Sequence, residues 1–156
     1  MSDALPSSGE DDVFVPPIRV LEPLSGQGRA LGVIAVGGTI GALARYGLGL
    51  ALPHSTGTFP LATFLINVVG GFLIGAFIVV ITEWTQAHPL VRPFLVTGIL
   101  GGFTTFSTYA VDSELLLAAG RVGPALLNIA GTLLAAVTAT WLGIGAARAV
   151  RPAGTR

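Results

Sequence analysis

Four long apolar runs dominate the chain, at residues 31–52, 60–82, 90–119 and 123–148, with short polar or proline-bearing connectors between them. Each run is near or above the ~20 residues that carry a helix across ~30 Å of hydrocarbon. The pattern predicts an all-α integral membrane protein with four transmembrane helices. Trp84 and Trp141 fall near run ends, where indoles favour the membrane–water interface. Residues 1–30 carry Asp3, Glu10, Asp11, Asp12 and Glu22 among prolines and serines and contain no long apolar run. They are expected to form a flexible N-terminal tail, ahead of a membrane domain at 31–149 and a C-terminal tail at 150–156. The chain does not open with a basic flank and a short apolar core, so no cleaved signal peptide is expected.

Composition supports the membrane assignment. Of the 156 residues, 52% are hydrophobic and 10% charged, against about a quarter charged in soluble domains. Eight basic residues, all arginines, balance eight acidic ones, so no nucleic-acid partner is implied. The absence of cysteine excludes disulfides and thiolate metal sites. Four spans place both termini on one side, together with Arg19, Arg29, Arg92, Arg148, Arg151 and Arg156. Arg45 and Arg121 fall on the other side. The positive-inside tendency favours cytoplasmic termini of a multi-pass plasma-membrane protein. Gly37 and Gly41, like Gly71 and Gly75, are four apart and share a helix face. Such faces let helices approach closely in lipid. Four spans enclose little volume, so a permeation path is expected to need a second subunit.

Three polar groups stand where lipid makes them costly. Arg45 follows Gly41 by four residues and shares its face, so it either snorkels to the interface or offers a positive charge to anions at a vestibule. Asn67 lies deep in the second span in line with Gly71 and Gly75. Its carboxamide either clamps two helices or turns N–H donors toward a pore. The third group is residues 98–109, where adjacent glycines and four Ser/Thr hydroxyls interrupt an apolar span. A helix broken at its centre explains this composition. Unwound backbone in a membrane must be buried in protein or line a wet path. Freed carbonyls suit a small hard cation, hydroxyls can donate to an anion, and the partly positive edges of Phe106 and Tyr109 can solvate one moderately. In the fourth span, Asn128 and Thr132 share a face, either back-bonded to their own helix or forming a polar track.

Together these residues resemble the CrcB/Fluc family of fluoride channels. The likeness runs from about Gly37 to Gly143 and omits the tail. Its most specific stretch is Gly101-Gly102-Phe103-Thr104-Thr105-Phe106-Ser107-Thr108-Tyr109. Gly37-Gly38 through Gly41-Ala42 to Arg45-Tyr46, and Phe64-Leu65-Ile66-Asn67-Val68-Val69-Gly70, support it. The resemblance implies an antiparallel, dual-topology dimer with two fluoride pathways along its interface. It also implies a structural central Na⁺ held by backbone carbonyls of Gly101 and Thr104 from both subunits. Asn67 matches the family's pore asparagine, Phe106 the first of two pore phenylalanines, and Arg45 the arginine of the first helix. Ser107 falls on a hydroxyl position near the ion path, and Asn128 and Thr132 fall on the fourth helix's polar track. Two positions depart from the family: Tyr109 stands at the second phenylalanine, and Asn128 where a tyrosine is more usual. The arginine bias fits poorly with an evenly dual-oriented homodimer, so the partner is either the same chain or a paired homologue.

The expected function is passive, fluoride-selective export from the cytoplasm. A small proton-coupled multidrug exporter is the alternative; it requires a membrane-embedded carboxylate, and spans one, two and four have no acidic residue. No enzyme is expected, because no P-loop, zinc-ligand or triad spacing occurs, and His54 and His88 lie in connectors.

Overall fold

The computed structural model describes residues 27–84 and 87–150. Among the described residues, four helices are long and apolar enough to cross a membrane: α1 (Gly28–Ala51), α2 (Leu61–Trp84), α3 (Pro93–Ala118) and α4 (Val122–Ala149). Their ends fall within three residues of the expected spans. Helix α1 takes in residues 28–30, which the sequence reading gave to the tail. Most of that tail, and residues 151–156, lie outside the described residues.

Close backbone contact, made possible by glycine, sets the packing. Helix α1 lies along the first half of α3, and α2 along the second half of α4. At the first contact, a Cβ on Gly41 would overlap the Ile99 carbonyl and stand 2.8 Å from the Phe103 amide nitrogen. A Cβ on Gly102 would overlap the Gly38 carbonyl. At the second, Gly75 meets the Thr140 carbonyl and Gly143 meets that of Phe72 in the same way. Both four-residue glycine faces seen in the sequence are thus buried against another helix. In lipid, where apolar burial gives no net drive to associate, such close packing is what holds helices together.

The large apolar side chains point outward instead. Val36, Ile40 and Leu43 of α1 and Leu133, Val137 and Leu142 of α4 are exposed on the outer surface, where acyl chains would solvate them. A polar contact ties one end of the bundle. On the side of the termini, Arg148 donates from Nε (3.1 Å) and Nη2 (2.8 Å) to Glu83 Oε1, linking α4 to α2. This pair is largely exposed and contributes at most about 1 kcal/mol. At the opposite end, Gly57 and Gly120 adopt φ of 84° and 71° in the turns that reverse the chain.

Helices α3 and α4 are irregular. In α3, residues Pro93–Leu100 are wound in wide π-type turns and Gly101–Phe103 form one ordinary turn. The chain then extends through Thr104 (φ −70°, ψ 156°) and Thr105 (φ −146°, ψ 122°), and helix resumes at Phe106–Ala118. The break sits in the middle of a 26-residue span, as the glycine and hydroxyl run predicts. Wide turns also end α2 at Val80–Trp84 and interrupt α4 at Leu127–Gly131.

These glycine contacts generate a test. Gly75→Val should abolish recovery of a folded, monodisperse species on size-exclusion in detergent, because the new side chain would displace the Thr140 backbone. Gly145→Ala, whose Cβ would meet nothing within 4 Å, should leave recovery at the wild-type level. Normal recovery of the Gly75 variant would refute the α2–α4 contact.

Candidate functional site

The break in α3 strips several peptide groups of their helical partners, and the side chain of Asn67 replaces two of them. Asn67 Oδ1 accepts from the Thr105 amide at 2.9 Å, and Asn67 Nδ2 donates to the Thr105 carbonyl at 3.0 Å. The carboxamide therefore pairs with the amide and the carbonyl on either side of the Thr105 Cα, as a neighbouring strand would. In hydrocarbon each of these peptide groups, left alone, would cost several kcal/mol. Of the two sequence readings of Asn67, the helix clamp is the one seen directly. One donor and its acceptor clamp α2 to α3, and the second N–H has no partner among the described residues. Asn67 remains part of a groove wall.

Thr105 organises the downstream side. Its hydroxyl oxygen accepts from the Thr108 amide at 3.1 Å, capping the second half of α3. It also donates to Thr108 Oγ1 at 3.0 Å and lies 3.4 Å from Ser107 Oγ. These contacts affect the two carbonyls expected to hold a cation. In a continuous helix the Gly101 carbonyl would accept from the Thr105 amide, and the Thr104 carbonyl from the Thr108 amide. Asn67 takes the first donor and the Thr105 hydroxyl takes the second. Both carbonyls lose their regular partner, while the Thr104 hydroxyl donates back to Leu100 O at 2.9 Å. The donor set of Gly101 and Thr104 thus fits a small hard cation, which prefers oxygen ligands.

Beside the break lies an open groove of about 400 Å³ between α2, α3 and α4. Asn67, Thr104, Thr105 and Thr132 supply its polar wall, Phe106 and Tyr109 its aromatic wall, and Ile74, Leu133 and Ala136 much of the rest. The rings of Phe106 and Tyr109 stand 5.6 Å apart, tilted by 46°. Phe106 is 80% exposed. Ser107 is also exposed but lies outside the groove. Gly101 is exposed on the first half of α3, and Arg45 is half-buried on α1; neither lines the groove.

Two polar residues of α4, Asn128 and Thr132, turn inward. Asn128 is fully buried and donates from Nδ2 to Ser113 Oγ at 2.9 Å and to Tyr109 O at 3.4 Å. Its Oδ1 accepts from the Thr132 hydroxyl at 3.2 Å, and Ser113 donates to Tyr109 O at 2.8 Å. Asn128 and Thr132 are thus a polar track in contact with α3, with only Thr132 reaching the groove. The Tyr109 hydroxyl crosses to α4 and donates to Ile129 O at 2.9 Å.

The sequence reading did not single out Ser113 or the pairing of Thr63 with Asp112. Asp112 is buried two turns beyond the break. Its Oδ2 accepts from Thr63 of α2 at 2.6 Å, and its Oδ1 lies 3.6 Å from His54 Nε2 in the α1–α2 connector. Thr63 and Asp112 were visible as polar positions in apolar spans, but they are 49 residues apart and only the fold pairs them. Among the described residues no cluster of three or more His, Cys, Asp or Glu could hold a metal ion through side chains. A cation site here would rest on carbonyls.

Comparison with known proteins agrees with this architecture. The family model described as CrcB-like protein, Camphor Resistance (CrcB), matches residues 32–144. Fluoride-specific ion channel FluC 1 of Streptomyces coelicolor is 56% identical over 124 residues, covering 80% of each chain. Fluoride-specific ion channel FluC 2 of Streptomyces avermitilis is 51% identical over 128 residues, covering 81% of each. Fluoride-specific ion channel FluC 2 of Geobacillus kaustophilus is 41% identical over 122 residues, covering 78% of this chain and 95% of that one. With a model match that reaches into all four membrane helices and relatives identical at half their aligned positions or more, the chain belongs to the CrcB family.

Proposed function

We propose that the chain is a fluoride-selective channel that lets fluoride leave the cytoplasm passively. One observation carries the reading: a helix broken at mid-membrane, bracketed by Asn67, opens onto a groove walled by two aromatic rings and amide and hydroxyl groups. The names of the relatives, all fluoride-specific channels, support it. From acidic surroundings fluoride enters as neutral HF, ionises inside and is trapped. A selective anion path returns it outward, driven by its gradient and by an inside-negative potential.

The groove offers partial charges in place of a fixed cation. The second N–H of Asn67 and the ring edges of Phe106 and Tyr109 can replace part of an anion's hydration. Binding of this moderate strength lets the ion enter and also leave, which conduction requires. Arg45, on a different helix pair, would act at longer range by drawing anions toward a mouth of the path.

A single chain leaves this machinery half-open. Phe106, Ser107 and Thr108 are exposed beside the break, and hydroxyls at that depth need protein or water around them. A second subunit in the opposite orientation, either the same chain or a paired homologue, would close the groove and bring its own break against this one. The carbonyls of Gly101 and Thr104 from both subunits would then hold a structural Na⁺. Such an ion would supply positive charge to carbonyls that the break leaves without their helical donors. The plasma membrane is the location that this role requires.

The exporter alternative depends on a carboxylate that faces substrate. Asp112 is membrane-embedded, but it lies outside the groove and both its oxygens face partners, Thr63 and His54. That arrangement suits a structural tie better than a carrier.

Liposomes containing the purified protein, loaded with potassium fluoride or chloride and opened with valinomycin, should release fluoride and retain chloride. Equal release of both ions by a folded preparation would end the selectivity claim. Asn67→Asp keeps the acceptor for the Thr105 amide but removes the donor to its carbonyl and adds a negative charge. Fluoride flux should fall roughly five- to hundredfold, the scale of the about 1–3 kcal/mol that an orphaned buried acceptor costs. Phe106→Ile should lower flux while the protein still elutes as a folded species. Unchanged flux in either variant would remove that residue from the path.

A further inference from the structure

We propose that the Tyr109 hydroxyl is a positioning group, spent on the backbone of α4, and that fluoride meets the edge of the Tyr109 ring rather than its O–H. The proposal rests on the channel reading above and deepens it. A phenol carries one proton to donate. That proton is directed to Ile129 O at 2.9 Å, across the interface between α3 and α4. The acceptor lies inside the wide turn Leu127–Gly131. Such turns depart from the regular i→i−4 ladder, and a carbonyl with two lone pairs can accept from outside its helix.

The residue is held at both ends. Its backbone carbonyl accepts from Ser113 Oγ at 2.8 Å and from Asn128 Nδ2 at 3.4 Å. Asn128 in turn accepts from Thr132, which lines the groove. The ring therefore cannot swing away about χ1 without breaking the bond to Ile129, which keeps it beside Phe106 at a centroid distance of 5.6 Å. The oxygen of a phenol that donates elsewhere presents only lone pairs to an anion, which repel it. The polarised C–H edge is left to face the ion. On this account the hydroxyl shapes the path by fixing a ring and an α4 turn that both border it.

The chain holds two tyrosines, Tyr46 and Tyr109. Tyr46 is exposed on α1 and outside the groove, so Tyr46→Phe leaves Tyr109 as the sole tyrosine signal. Ultraviolet resonance Raman spectra of this variant in lipid vesicles should show the bands of a hydrogen-bond-donating hydroxyl. Those bands should not move as sodium fluoride replaces sodium chloride. A fluoride-dependent shift would overturn the proposal. Tyr109→Phe, tested separately, should slow fluoride release roughly two- to tenfold, the scale of one lost hydrogen bond, and keep the preference for fluoride over chloride. Loss of that preference, or an unchanged rate, would also overturn it. If Tyr109→Phe does not fold, the Raman measurement still decides. Vesicles of the wild-type chain that retain fluoride would overturn the channel reading and this proposal with it, whereas a band shift in releasing vesicles overturns this proposal alone.

Discussion

The pairing of one carboxamide with the backbone of one residue, Asn67 with Thr105, is the contact on which the membrane domain turns. Breaking a helix in hydrocarbon exposes amides and carbonyls that have no water to meet. Asn67 meets an N–H and a C=O at once, from a helix that is otherwise apolar along most of its length. Because it does so, α3 can bend at Thr104–Thr105, the Gly101 carbonyl is released from its helical donor, and a groove opens next to the break. A hydroxyl or an apolar residue at 67 could not satisfy both groups in this geometry.

The glycine contacts explain how Asn67 reaches its partner. Helix α2 is seated on α4 through Gly71, Gly75 and Gly143, while α1 and the first half of α3 lock through Gly37, Gly41, Gly98 and Gly102. Backbone-to-backbone contact leaves little freedom for sliding, so each helix has a defined register. Gly70, one turn from Asn67, faces the methyl of Thr104 so closely that a Cβ there would overlap it. The packing that holds the bundle together and the geometry of the break are thus set by neighbouring residues of α2.

The helices were legible in the sequence because a bilayer imposes a length and an apolar composition that few other environments share. The break was legible too, since Gly101-Gly102 followed by four Ser/Thr residues has no place in a lipid-facing helix. The partner of each polar residue was not. Asn67 and Thr105 are 38 residues apart, and Tyr109 and Ile129 are 20 apart. A spacing rule within one helix cannot report a contact between two. Tyr109 shows this most clearly: residue type alone offered a ring edge and a hydroxyl as alternative donors. Only the wide turn of α4, which nothing in Leu127–Gly131 announces, supplies a carbonyl that claims the hydroxyl. Asn128 was seen as polar and near the path, yet it is buried in a network that braces the wall from behind.

Dividing α3 in two also creates two helix ends where a membrane span ordinarily has none. The carbonyl end of Pro93–Phe103 carries a partial negative charge, and the amide end of Phe106–Ala118 a partial positive one. Only Thr104 and Thr105 separate them. The middle of the bilayer therefore holds a pair of opposed macrodipole poles, built from neutral backbone, without a formally charged side chain at the break. Charge of either sign can be accommodated there without the standing desolvation penalty of a buried arginine or carboxylate, and the poles are present before any ion arrives.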